Sequence, residues 1–131
     1  MDAMTLINEA MLARENSYSP YSGFAVGAAL LTGDGRIYRG CNIENGAYGP
    51  SICAERTAVF KAVSEGDRDF EAIAIVGGKA GEKPASFCPP CGVCRQVLSE
   101  FCKAELKVYL YDGNNIKESS LGELLPMAFA L

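Results

Sequence analysis

Residues 71–78 have the sequence EAIAIVGG, a short and almost wholly apolar run that ends in two glycines. A strand with one face in water would alternate apolar and polar residues, and this run does not. The pattern is typical of a strand buried on both faces, as in sheets that are covered by helices. We therefore build the predicted fold outward from this strand.

The segments before this strand predict two helices and a hairpin. Apolar residues at helical spacing indicate an opening helix over residues 3–14. Segments 24–32 and 36–44 flank the sequence GDG, which hairpin turns favour, so they predict two antiparallel strands. Ser51 is placed to cap a helix over residues 52–64 that carries an apolar stripe.

The segments after it predict one more helix and one more strand. The helix should begin at Pro90 or Cys91 and end near Cys102, followed by a strand over residues 106–111. The last residues, from 120 onward, predict a short helix, a proline stop and an apolar end. The order α-β-β-α-β-α-β indicates an α/β fold in which helices pack on a mixed sheet.

Length and composition describe an ordinary globular chain. Its 131 residues predict a single domain, residues 1–131, and apolar residues make up 49% of it. No export signal or membrane-spanning stretch is visible, so we expect a cytoplasmic protein with reduced cysteines and no membrane partner. The net charge is −4 and the basic residues are scattered, which argues against nucleic acid as a partner.

Four of the six cysteines lie where a metal could be bound. Cys91 and Cys94 form a C-x-x-C pair at a predicted helix start, a spacing that brings two sulfurs to one side of the first turn. Cys53 lies at the start of another predicted helix, where the helix dipole favours thiolate. Two such helix ends could converge on one cation, and Cys88 precedes the second of them.

The residues alone leave two interpretations of these thiols open. Cys53, Cys91 and Cys94 together with Cys88 could close a purely structural zinc site with four sulfurs. Glu55 favours a reactive site instead, because it begins the apolar stripe of its helix and therefore points inward, where an unpaired carboxylate is costly. A metal with a carboxylate beside an open position is an arrangement that activates water. The other two cysteines, on a strand and on a helix, are interpreted as packed thiols.

Five segments in order make the chain similar to a known family. They are YSPYSGFAVGAAL, GCNIENGAYG, SICAERTAV, PCGVCRQVL and LLPMAF, and together they span most of the sequence. The chain resembles the small zinc-dependent cytidine deaminases that have three cysteine ligands. The resemblance implies a three-layer α/β/α fold with about five strands and a homotetramer with sites shared between subunits.

The resemblance also implies a mechanism. Cys53, Cys91 and Cys94 would bind one zinc ion per subunit, and a zinc-bound hydroxide would attack the ring carbon that bears the amino group. Glu55 would shuttle the proton and help ammonia leave, converting cytidine and 2′-deoxycytidine to the uridines in pyrimidine salvage. Arg56 would offset the charge of the ligand sulfurs. Cys88 departs from the family pattern and is expected to be a spectator near the site.

Further residues are assigned to the substrate by the same resemblance. Asn42 and Glu44 look like the pair that binds the sugar, and Phe24 looks like the ring beside the pyrimidine. Tyr48 and Phe129 resemble residues that reach a neighbouring subunit's site. The full substrate-binding set implied is Phe24, Asn42, Glu44, Tyr48, Ala54 and Phe129. The pattern of residues alone favours a solvated strand end as the explanation of the sugar pair, and a related deaminase for another aminopyrimidine stays open.

Overall fold

A five-stranded mixed sheet forms the centre of the computed structural model, which describes residues 1–131. The strands lie in the order β2-β1-β3-β4-β5, and only the β3–β4 pair is parallel. The elements are α1 (Ala3–Arg14), β1 (Phe24–Thr32), β2 (Ile37–Cys41), α2 (Ala54–Ser64), β3 (Phe70–Lys79), α3 (Gly92–Phe101), β4 (Lys107–Tyr111), β5 (Ile116–Ser120) and α4 (Leu121–Leu124).

The apolar run at residues 71–78 lies in β3, the middle strand of this sheet. β3 is buried from Ala72 to Gly78, which confirms a strand covered on both faces. Its side chains alternate between two cores, because successive residues of a strand point to opposite faces. Ala74 packs with α1 on one side, and Ile73 and Ile75 pack with α2 on the other. The three-layer α/β/α arrangement is therefore confirmed.

Helix α2, which carries the predicted functional residues, lies unusually close to the sheet. Gly40 in β2 makes this possible: a Cβ atom there would lie 2.4 Å from the backbone nitrogen of Ala58 and 2.5 Å from the carbonyl oxygen of Ala54. No side chain fits between these backbones. The N-terminal turn of α2 is consequently held at a fixed height above the end of β2.

Several predicted boundaries differ from the structure. Strand β2 ends at Cys41, because residue 42 turns its amide back onto β1. Helix α2 begins at Ala54 with Cys53 as its N-cap, so the predicted cap at Ser51 is wrong. The Ser51 hydroxyl instead accepts a hydrogen bond from the backbone N–H of Asn45 at 3.0 Å. Helix α3 begins one residue later than predicted, with Cys91 as its N-cap.

The end of the chain differs from the predicted pattern in strand β5 and in the tail. The pattern of the individual segments did not locate strand β5, because its sequence IKESS is polar and it lies exposed at the edge of the sheet. The tail after α4 does not dock on this chain's own core, since Met127, Phe129 and Leu131 are all largely exposed. No helix has the length and apolar character needed to cross a membrane.

Candidate active site

Three sulfurs converge where α2 and α3 begin. Cys53 and Cys91 are the N-cap residues of the two helices, and Cys94 lies in the first turn of α3. Their Sγ atoms are 3.8 Å apart between Cys53 and Cys91 and 3.4 Å apart between Cys91 and Cys94. All three lie within 4.8 Å of one another. Both helix dipoles therefore present their positive ends to one sulfur cluster.

The surroundings of the cluster favour the thiolate form of Cys53. Cys53 accepts hydrogen bonds from the Cys94 thiol and from Arg56, whose Nη2 lies 3.2 Å from the Cys53 sulfur, and these contacts lower the pKa of Cys53 to about 5 against the opposing effect of burial. The pKa of Cys94 is raised, because its proton bridges to Cys53. The backbone N–H of Cys94 also donates to the Cys91 sulfur, at 3.4 Å.

This donor set fits zinc. Three cysteine sulfurs at one point, already hydrogen-bonded as a partly ionised cluster, match the soft ligands that zinc takes in proteins. Three protein ligands leave the fourth tetrahedral position free, which is the arrangement of catalytic rather than structural zinc sites. The structure thus supports the more reactive of the two interpretations of these thiols.

Cys88 stands outside the sulfur cluster. It is half-buried on the wall of the adjoining cavity and is not among the three sulfurs that lie within 4.8 Å of one another. Burial, helped by the nearby Glu55 carboxylate, raises the pKa of the Cys88 thiol to about 11, so it stays protonated at neutral pH. Because its sulfur lies outside the cluster, Cys88 does not complete a closed four-sulfur site.

Glu55 is buried beside the sulfurs. It is only 4% exposed and lines a cavity of about 310 Å³ together with Cys53 and Cys91. Desolvation raises the pKa of its carboxyl to about 7. A carboxyl group with that pKa exchanges protons readily near neutral pH, which is what a general acid and base requires.

Two other side chains that line this cavity are held by backbone groups of β1 and of the loop before it. Asn42 accepts a hydrogen bond from the N–H of Val26 at 2.9 Å and donates one to the carbonyl oxygen of Phe24 at 2.8 Å. Glu44 accepts from the N–H groups of Tyr21 at 2.9 Å and Ser22 at 3.1 Å. Each side chain is therefore fixed while it lines the cavity.

The structure brings most of the predicted site residues together. Those lining the cavity are Asn42, Glu44, Cys53, Ala54, Glu55, Arg56 and Cys91, with Cys94 buried behind them. Tyr48 lines an adjoining cavity of about 290 Å³, which shares Glu44 and Ser51 with the first one.

Two predicted residues lie outside both cavities. Phe24 is 40% exposed at the start of β1, with its ring edge near Gly77 and Cys88. Phe129 is 69% exposed on the tail. Tyr21 and Ser22, which hold Glu44 in place, could not be predicted as site residues, because no local pattern marks a loop residue as the partner of a distant side chain.

Comparison with known proteins decides the family. Residues 2–110 match the family model for the cytidine and deoxycytidylate deaminase zinc-binding region. The chain belongs to this family. The predicted resemblance is therefore confirmed, and the three-cysteine cluster lies within the matched residues.

Individual deaminases of the family are similar over nearly their whole length. The chain is 56% identical to a cytidine deaminase of Halalkalibacterium halodurans, over 98% of this chain and 95% of that protein. It is 54% identical to a cytidine deaminase of Sporosarcina psychrophila, over 99% and 93%. The 1.6 Å crystal structure of cytidine deaminase from Burkholderia pseudomallei superposes with a TM-score of 0.90 at 48% identity, covering 98% of this chain and all of that one.

Proposed function

We propose that this protein hydrolyses cytidine and 2′-deoxycytidine to uridine and 2′-deoxyuridine with release of ammonia. One observation supports this proposal above the others: the buried Glu55 carboxyl shares a cavity with a three-sulfur cluster that has the donor set of a catalytic zinc site. A metal site and a proton-exchanging carboxyl together suit hydrolysis at an electrophilic ring carbon. The family membership and the similar cytidine deaminases point to the same reaction.

Cys53, Cys91 and Cys94 would hold the zinc ion. When bound, zinc supplies a Lewis acid that makes water a nucleophile near neutral pH. Arg56 contributes by donating to the Cys53 sulfur, which spreads the negative charge that three thiolates would otherwise concentrate. The N-termini of α2 and α3 act in the same direction.

Glu55 moves the protons. It takes one proton from the attacking water and delivers it to the adjacent ring nitrogen, and it then takes the second proton, from the hydroxyl now on the carbon, and supplies it to the departing amino group. Water adds at the carbon that bears the amino group, the bond from that carbon to nitrogen breaks, and ammonia leaves, so the atoms balance. This division of labour is that of zinc deaminases as a class. A pKa of about 7 suits both the acceptance and the release of a proton.

The wall of the cavity formed by Asn42 and Glu44 would bind the sugar. Asn42 offers an amide N–H, and Glu44 offers carboxylate oxygens, to ribose or deoxyribose hydroxyls. The negative charge of Glu44 would also repel a phosphate, so we expect a nucleoside rather than a nucleotide as substrate. Ala54, buried at the start of α2, would lie against the pyrimidine.

Of the remaining substrate residues, Phe24 would lie beside the pyrimidine, whereas Tyr48 and Phe129 would act in a neighbouring copy of the chain. Phe24, Tyr48 and Phe129 are exposed aromatic side chains that this chain leaves uncovered. We propose a homotetramer in which Tyr48 and Phe129 reach the site of a neighbouring subunit and the site is shared between subunits. Sedimentation should give about four times the chain mass of 13.9 kDa.

The cellular setting is part of the same proposal. Residues 1–131 form one deaminase domain that works in the cytoplasm, where thiols stay reduced and available to a metal. The substrate is a free nucleoside, which fits pyrimidine salvage.

Ammonia release tests the proposed reaction. Zinc-loaded protein would be incubated separately with cytidine, 2′-deoxycytidine, cytosine and cytidine 5′-monophosphate. We expect ammonia and the matching uridine from the two nucleosides, with little from the free base or the nucleotide. Folded, zinc-bearing protein that releases no ammonia from either nucleoside would contradict the proposal.

A further inference from the structure

Two serines in the loop between α1 and β1 contact the side chains that face the sugar. The Ser17 hydroxyl is hydrogen-bonded to Oδ1 of Asn42, and the Ser22 hydroxyl is hydrogen-bonded to Oε2 of Glu44. Neither serine lines the cavity that contains Glu55. Ser17 lines neither of the two cavities that share Glu44, whereas Ser22 lines the adjoining one, and each serine contacts the site through its hydrogen bond to Asn42 or Glu44.

The direction of the hydrogen bonds around Asn42 is fixed by the backbone of β1. Its Oδ1 accepts from Val26 N–H and its Nδ2 donates to the Phe24 carbonyl oxygen. A flipped amide would place its NH2 group against the Val26 N–H and its oxygen against the Phe24 carbonyl oxygen. An oxygen in this position only accepts, and Ser17 must therefore donate to it. Ser19, whose Oγ lies 3.2 Å from that of Ser17, then donates to Ser17. One N–H of Asn42 is left to donate.

The direction around Glu44 is fixed in the same way. One carboxylate oxygen accepts from the N–H groups of Tyr21 and Ser22, and the other accepts from the Ser22 hydroxyl. The backbone N–H of Phe24 donates to the Ser22 oxygen at 3.0 Å, which leaves the hydroxyl proton of Ser22 for Glu44. Glu44 keeps lone pairs that can only accept.

We propose that Ser17 and Ser22 are positioning residues that, together with the backbone, hold the Asn42 donor and the Glu44 acceptor in place for a sugar hydroxyl. The inference rests on the proposed function, since it assumes that a nucleoside binds with its sugar at this wall. It adds that the ligand must both accept from Asn42 and donate to Glu44. A hydroxyl does both, whereas an ether oxygen cannot donate and a hydrogen atom does neither.

The test compares two nucleosides in three variants. Ser17→Ala and Ser22→Ala would be assayed with cytidine and with 2′,3′-dideoxycytidine, which retains the base and the 5′-hydroxyl. Ser64→Ala is the matched control, because Ser64 is exposed and its hydroxyl contacts only the carbonyl oxygen of Lys61 in α2. Melting temperatures of all three variants would verify folding.

We expect each of the two loop variants to lose about threefold to tenfold in kcat/KM on cytidine, mainly through KM, as the loss of one hydrogen bond predicts. The loss should vanish on 2′,3′-dideoxycytidine, which has no hydroxyl for the preset pair. A fourth variant, Ser22→Thr, keeps a hydroxyl and should recover most of the cytidine activity, and Ser64→Ala should match the unmodified protein.

Two results would overturn the inference. Equal losses on both nucleosides would show that the serines only maintain the fold, and full activity of both alanine variants on cytidine would show that they position nothing. Either result leaves ammonia release by the unmodified protein intact. A failure of the unmodified protein to deaminate cytidine would contradict the proposed function itself and this inference with it.

Discussion

Arg56 directs its Nη2 at the sulfur of Cys53 over 3.2 Å, three residues along the chain and on the same turn of α2. The Nε of the same guanidinium is buried without a hydrogen-bond partner. An arginine at this position would usually extend into water, yet here it donates a hydrogen bond to the sulfur of Cys53. The pairing links the first turn of the helix to the charge of the sulfur cluster.

Replacing Arg56 should therefore alter the pH dependence of deamination. In Arg56→Ala the Cys53 thiolate loses a cationic donor, so the pKa of Cys53 rises and a more negative cluster makes water harder to ionise. We expect turnover to fall and the acid limb of the pH–rate profile to move up by about one pH unit. Arg56→Lys, which keeps the charge, should shift it less. An unchanged profile with unchanged turnover in Arg56→Ala would show that the contact is incidental.

The sulfur cluster predicts which thiols hold the metal. Cys94→Ser should abolish stable zinc binding, because it removes one of three converging ligands. Cys88→Ser, the matched change of a thiol shortly before α3, should keep one zinc ion per chain. Atomic absorption on the purified variants gives the metal content directly. Zinc lost from Cys88→Ser but retained by Cys94→Ser would reverse the assignment.

The fold was more predictable than the side-chain contacts, for physical reasons. The apolar run in β3 and the helical stripes of α1 and α2 reflect burial, which local pattern records well. Strand β5 escaped the pattern because an exposed edge strand pairs through its backbone and can be polar. Cys53 rather than Ser51 caps α2 because the helix start is fixed by the sheet contact at Gly40, which propensity does not contain.

Local sequence pattern likewise predicts some residues of the candidate site and not others. Spacing alone indicated Cys91 with Cys94, and helix phase indicated that Glu55 points inward. The roles of Asn42 and Glu44 came only from resemblance, because a polar pair after a strand looks like any solvated strand end. Their hydrogen bonds to β1 and to the loop before it cross 16 to 23 positions of sequence. A local pattern does not encode such contacts.

The close approach at Gly40 predicts a large cost for a single methyl group. In Gly40→Ala the new Cβ would lie 2.4 Å from the Ala58 backbone nitrogen, so α2 must move away from the sheet. We expect the free energy of unfolding to fall by about 2 kcal/mol or more. Gly49→Ala is the matched control, since a Cβ there meets nothing within 4 Å. Urea denaturation that finds both variants equally stable would contradict the packing described.

Glu44 predicts a pH dependence of nucleoside binding. The hydroxyl of Ser22 and the backbone N–H groups of residues 21 and 22 hold the pKa of the Glu44 carboxyl below its ordinary value of 4.5. Binding needs the ionised form, so affinity is lost only as the pH falls through this lowered pKa. In Ser22→Ala the pKa should rise, and uridine affinity, measured by calorimetry, should begin to fall at a higher pH.

Glu44→Ala serves as the control for that titration. Without the carboxylate, uridine should bind more weakly at every pH, and the part of the pH dependence that belongs to Glu44 should disappear. If Ser22→Ala and the unmodified protein bind uridine with the same affinity at each pH, the Ser22 hydroxyl does not influence the Glu44 carboxyl.

One variant shows whether Glu55 moves protons beside a three-cysteine zinc site. Glu55→Gln preserves the size of the side chain but cannot exchange a proton. We expect Glu55→Gln to bind one zinc ion per chain and to lose kcat for cytidine by about 100-fold or more. Glu105→Gln, an exposed change of the same kind, should leave kcat unaltered. Near-normal ammonia release by zinc-loaded Glu55→Gln would contradict the account.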